Sequence, residues 1–182
     1  MSFPLLKVDA LKTYVAHLSQ EYGINHMLRW EDDQYYDLPQ DIADMHGWEE
    51  LVQRTATIYH SLSPEEQKGC MIYGGSYGHA GAINYFREKY QLPRAYSMNG
   101  SYAFWTPDVV AFDKQIMIDD VKQEASQWFA TMELVDSIRD ENAREVGYIY
   151  WRVHPKIDLE QAWTDFVQER KTELGINPSP DE

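Results

Sequence analysis

The run Gly74-Gly75-Ser76-Tyr77-Gly78-His79-Ala80-Gly81 concentrates the residue types that could hold a ligand. Its glycines permit a tight turn from a strand into a helix, and the first amides of a helix offer free donors to a phosphate, a carboxylate or a sugar hydroxyl. The spacing departs from G-x-G-x-x-G and from G-x-x-x-x-G-K-[ST], which disfavours a dinucleotide or a nucleoside triphosphate held in the standard way. The same glycines could equally serve only the turn and helix packing. Ser76 sits in G-G-S-Y-G, which fits the bare G-x-S-x-G pattern of a hydrolase elbow. An elbow also needs an acid and a histidine in later strand-end loops, and His154 before Pro155 is the only late histidine. A second group, Tyr96, Tyr102, Phe104 and Trp105 with Asn99 and Ser101, combines aromatic faces with amide and hydroxyl groups, as a sugar site does. Such aromatics could also pack under a membrane-bound neighbour. The candidate ligand-binding residues are therefore Ser76, Tyr77, Gly78, His79, Asn99, Ser101 and Tyr102, and no catalytic residue is assigned.

Other polar groups offer less. His26, His46, His60 and His154 are scattered without short metal-ligand spacing, so no metal and no cofactor is expected. The pairs Asp32-Asp33, Asp119-Asp120 and Asp140-Glu141 read as solvated surface in an acidic chain. Cys70 lies in the apolar run Cys70-Met71-Ile72-Tyr73, as a buried strand thiol would.

The elements that must position these loops follow from periodicity. Val8, Leu11, Val15, Leu18 and Tyr22 recur at helical spacing, closed by Gly23. Residues 25–47 mix aromatics and acids without a period and read as an ordered loop. Helical spacing resumes through Trp48, Leu51, Val52, Thr55 and Tyr59, and Ser63-Pro64-Glu65-Glu66 supplies an N-cap and an N1 proline. A strand from Cys70 to Tyr73, the glycine loop and a helix from Ala80 to Tyr90 follow. Strands are then predicted at 95–97 and 108–112, a helix from Asp119-Asp120 through Val121, Ala125, Trp128 and Phe129, strands near 132–137 and 146–153, and a last helix over about 159–173. Alternating strands and helices predict an α/β fold: a Rossmann-like three-layer α/β/α arrangement, with a mostly parallel sheet and an antiparallel edge strand.

The 182 residues suit one domain, taken as 1–176, followed by a disordered tail over 177–182. With 16 Lys plus Arg against 30 Asp plus Glu, the net charge of -14 argues against a nucleic acid partner. No stretch is long and apolar enough to span a bilayer, and the start MSFPLLKVDALK lacks a signal peptide's apolar run, so the chain reads as soluble.

Two longer runs, DLPQDIADMHGWEELVQRTATIYHSLSPEEQ and IYGGSYGHAGAINYFREKYQLPRAYSMNGSYAFW, carry a resemblance. They resemble the soluble carboxy-terminal domain of bacterial membrane glycosyltransferases related to the dolichyl-phosphate-mannose protein mannosyltransferases. The likeness extends over nearly the whole chain. Where that family's wording is close to N-Y-G-E-A-G-A-I, this chain has Ser76 in place of asparagine and His79 in place of glutamate. The resemblance implies an accessory domain at the extracytoplasmic face of the inner membrane. Its partners would be the membrane part of the same transferase and a lipid-linked sugar or acceptor. The acid that promotes transfer would belong to that membrane part. Two alternatives stand beside it: a free-standing Rossmann-like small-molecule enzyme on the same glycine loop, and a pure interaction module.

Overall fold

A computed structural model describes residues 6–145 and 147–176. The tail expected at 177–182 lies outside the described residues. The chain divides into two compact units, Met1–Gly47 with Arg139–Glu145, and Trp48–Ile138 with Val146–Glu182.

The first unit opens with helix α1, Val8–Tyr22, which ends as its sequence demands. Gly23 takes a left-handed φ of 66°, and its N–H and that of Ile24 return to the Ser19 and Leu18 carbonyls. The aperiodic segment is ordered by its own aromatics. Trp30 stacks on Tyr36 with ring centroids 3.8 Å apart and donates its indole N–H to the Leu38 carbonyl. A short helix α2, Gln40–Ala43, follows. The 139–145 strand of chain is tied to this unit by Arg144, whose guanidinium reaches Asp44 at 3.0 Å and Glu31 at 2.9 Å, and by Asp140, 3.2 Å from His46.

The second unit is α/β. Its elements are α3 (Trp48–Ser61), α4 (Pro64–Lys68), β1 (Cys70–Gly74), α5 (Tyr77–Tyr90), β2 (Ala95–Tyr96), β3 (Lys114–Asp119), β4 (Phe129–Ser137), β5 (Tyr148–Pro155) and α6 (Leu159–Glu173). The strands form one five-stranded sheet in the order β2-β1-β3-β5-β4. β2, β1 and β3 are parallel, whereas β5 and β4 are each antiparallel to their neighbours, so the sheet is mixed. Strand alternation sorts the residues into two cores. Ile72, Ile116, Ile118 and Ile149 join Leu51, Val52, Ala80 and Ile83 of α3 and α5. Met71 joins Trp163 and Val167 of α6. The Cys70 thiol is buried in the first core, and that burial pushes its pKa up to about 12.

Two expected elements are displaced. The strand predicted at 108–112 is irregular, and the true strand is β3. Val110 and Phe112 pack as loop residues on the second core. The Gly69 carbonyl accepts from both Asp113 and Lys114, which starts the ladder with Cys70 opposite Lys114. The helix predicted from Asp119-Asp120 to Phe129 does not form. Asp119 Oδ1 accepts from the Val121 N–H and Ser126 Oγ from the Phe129 N–H, and such local side-chain bonds compete with helical ones.

One side chain from α5 fixes the short strand β2. Asn84 Oδ1 accepts from the Ala95 N–H at 2.9 Å, while its Nδ2 donates to the Ala95 carbonyl at 2.8 Å and to the Tyr102 hydroxyl at 2.6 Å. Asn84→Ala would strand buried donors and acceptors, and should cost about 1–3 kcal/mol in urea denaturation. A loss below 0.5 kcal/mol would show that β2 holds without this clamp.

Candidate ligand cavity

The sheet face beneath α6 is unusually polar at its centre. β3 reads Lys-Gln-Ile-Met-Ile-Asp, so Ile116 and Ile118 enter the first core while Gln115, Met117 and Asp119 share the opposite face. Register places Arg152 of β5 beside Gln115, and Tyr73 of β1 beside Met117. Over this face lies a cavity of about 500 Å3, a size that suits a small ligand. Its floor is the strand face just described. Its walls are the 123–128 segment, with Trp128, and Trp163 and Phe166 of α6.

The cavity meets the sheet where the chain reverses its order. From β1 the chain moves to β2 on one side, and β3 then pairs on the other side of β1. Loops diverge at such a point and leave a crevice at the carboxyl ends of the strands. Gly75 and Asp119 stand there, and both line the cavity. Gly75 donates to the Ile118 carbonyl at 2.7 Å, and a Cβ on it would come within 3.3 Å of the Asp119 carboxyl carbon.

The polar groups of the cavity are tied to one another and to its wall. Both Asp119 oxygens are committed, Oδ1 to the Val121 N–H and Oδ2 to Gln123 Nε2 at 3.0 Å. Burial raises the Asp119 pKa against the pull of the Val121 hydrogen bond. The Gln123 N–H is held by the Tyr150 hydroxyl at 2.7 Å, which fixes the wall to the sheet. Burial pushes Tyr73 up to about 12, so its hydroxyl stays protonated, and it accepts from the Met98 N–H at 3.4 Å. Arg152 donates from Nη1 to Gln115 Oε1 at 3.1 Å, and burial lowers its pKa.

No family model matches the chain, and no curated protein or solved structure does.

The residues singled out in the two loops are placed as follows. Ser76 is the N-cap of α5, its Oγ accepting from the His79 N–H at 3.2 Å. Tyr77 is 64% exposed. Gly78 faces Trp48, whose ring would lie 2.7 Å from an added Cβ. His79 is fully buried, its ring 6.2 Å from that of Trp48. Asn99 and Ser101 are exposed on a 3-10 turn spanning Gly100–Trp105, and the Asn99 N–H donates to Ser97 Oγ. Tyr102 meets Asn84 and sets its ring against Trp105. Asn84 thus joins the α5 side of the glycine loop to the aromatic turn, while the cavity draws only Gly75 from either loop. The sequence singles out none of Gln115, Asp119 and Arg152 as ligand residues; each is a polar residue on a central strand, and only the strand register brings them onto one face.

Proposed function

We propose that this chain is a sugar-binding accessory domain of a membrane glycosyltransferase, built on a Rossmann-like three-layer unit. It would work at the extracytoplasmic face of the inner membrane. There it would hold a sugar unit of a lipid-linked donor or of the acceptor, while transfer chemistry belongs to the membrane part. The transferase context rests on the resemblance of the DLPQDIADMHGWEEL and IYGGSYGHAGAI runs. The sugar rests on one observation, the cavity in which Gln115, Gln123, Asp119 and Arg152 are ringed by Trp128, Trp163 and Phe166. Planar amide, carboxylate and guanidinium groups match pairs of sugar hydroxyls, and aromatic walls match the apolar face of the ring. A fully apolar cavity would have no such donors and acceptors to offer.

Titration with neutral hexoses and hexuronates, read by tryptophan fluorescence and calorimetry, tests this reading. At least one sugar should bind saturably at millimolar concentration or better. Trp128→Ala should weaken it about two- to tenfold, since a stacked ring contributes roughly 0.5–1.5 kcal/mol. No saturable binding by any sugar would contradict the reading.

A further inference from the structure

The cavity holds an arginine, Arg152, that makes no contact ion pair among the described residues, and Asp119 of the same cavity acts on it only at longer range. Arg152 is drawn from the middle of β5 onto the cavity floor, where it is partly buried. Its one recorded hydrogen bond goes to a neutral acceptor, the Gln115 side-chain oxygen. Its Nε is buried without a hydrogen-bond partner among the described residues, and no carboxylate lies within ion-pair distance. The contrast with the chain's other buried-edge arginines is sharp. Arg54 holds Asp136 through two contacts of 2.9 and 3.0 Å and also Glu50, and Arg144 holds Asp44 and Glu31. In a chain with nearly twice as many acids as bases, an arginine that contacts no carboxylate stands out. A guanidinium removed from water and left unpaired is costly, and a ligand anion is one way to balance it.

We infer that the sugar held in this cavity is an acidic one, a hexuronic acid whose carboxylate is bound by Arg152 while its ring lies against Trp128. This inference rests on the sugar-binding reading and narrows it. A carboxylate matches the fork of a guanidinium and brings a single negative charge. A phosphate brings more charge than one arginine balances, into a cavity that already holds Asp119. Among the described residues, Arg152 is the only lysine or arginine lining the cavity.

Calorimetry at fixed ionic strength with glucuronate, glucose and glucose 6-phosphate separates the cases. Glucuronate should bind at least about tenfold more tightly than glucose and more tightly than the phosphate ester, as a charge-assisted bond implies. Arg152→Gln should bring glucuronate to within about twofold of glucose while glucose binding persists. Arg152→Lys, which keeps the charge and loses the fork, should fall between the two and serves if the glutamine variant fails to fold. If glucose binds and glucuronate binds no better, the acidic-sugar inference fails while the sugar-binding reading stands. Tighter binding of the phosphate ester overturns the carboxylate assignment. If none of the three binds, both fail together.

Discussion

Trp163→Ala should be among the most damaging single substitutions in the chain, costing about 3–5 kcal/mol. Trp163 is fully buried and stands at the centre of the second core. Its ring meets those of Tyr73, Tyr96 and Phe112 with centroids 6.0, 6.2 and 5.9 Å away, and its indole N–H donates to the Pro107 carbonyl at 3.1 Å. Truncation removes the packing of α6 on the sheet, leaves the Pro107 carbonyl without that donor, and opens the cavity wall. With total stabilities of roughly 5–15 kcal/mol usual for a domain, the variant should lose a third or more of its stability over most of that range. Urea denaturation followed by circular dichroism should show the midpoint fall at little changed slope. A loss under 1 kcal/mol would mean that α6 is not anchored by this ring.

The second large effect lies at the glycine loop, and it comes with a built-in contrast of sign. A Cβ on Gly74 would sit 2.7 Å from the Ala80 backbone nitrogen and 2.9 Å from His79 Cβ, in the first turn of α5. Neither neighbour is the far end of a flexible side chain, so α5 must shift from β1. Gly74→Ala should therefore cost about 3 kcal/mol, in the range of overpacked cores. Gly81, inside α5, has nothing within 4 Å of its would-be Cβ. Gly81→Ala should stabilise by about 0.5–1 kcal/mol through helix propensity and a less free unfolded chain. Thermal unfolding of the two variants should move in opposite directions. Equal shifts would show that the loop gives way more readily than its geometry implies.

Much of this architecture was legible from local rules. Helix α6 spans Leu159–Glu173, as its spacing indicates, and Asp158 caps it by accepting from the Glu160 and Gln161 N–H groups. Ser63 with Glu66 forms a reciprocal capping box, and Gly23 closes α1 in the left-handed region. The errors came where tertiary bonding outweighed local pattern. Residues 108–112 look like a strand, yet ladder pairing is decided by partners far along the chain, and the Gly69 carbonyl selects 114 instead. Residues 120–128 look helical until Asp119 and Ser126 turn their oxygens on the backbone. An antiparallel strand is expected at the sheet edge; β5 is antiparallel to β3 but lies inside the sheet, with β4 at the edge.

The cavity was hidden for a related reason. Asp119 beside Asp120 reads as a solvated acid pair, and Arg152 falls within a predicted strand without being singled out. Only the register that sets Gln115 against Arg152, and the arrival of Trp163 and Phe166 from a helix late in the chain, turns them into one polar site. Gly75 belongs both to the glycine loop and to the cavity. The side chains that the sequence singled out cap α5 at Ser76, pack on Trp48 at His79 and meet Asn84 of the β2 clamp at Tyr102.

The central claim is that a sugar binds over the polar face beneath α6, and amide and indole nuclear magnetic resonance during a sugar titration tests it most directly. The expected result is saturable shifts gathered on the Trp128 and Trp163 indoles, the Gln123 side-chain amide, the Arg152 Nε–H and the Gly75 backbone amide, with Tyr77, Ser101 and Phe104 unmoved. Shifts that gather instead on 76–81 and 99–105, or no saturable shift with any sugar, would contradict it.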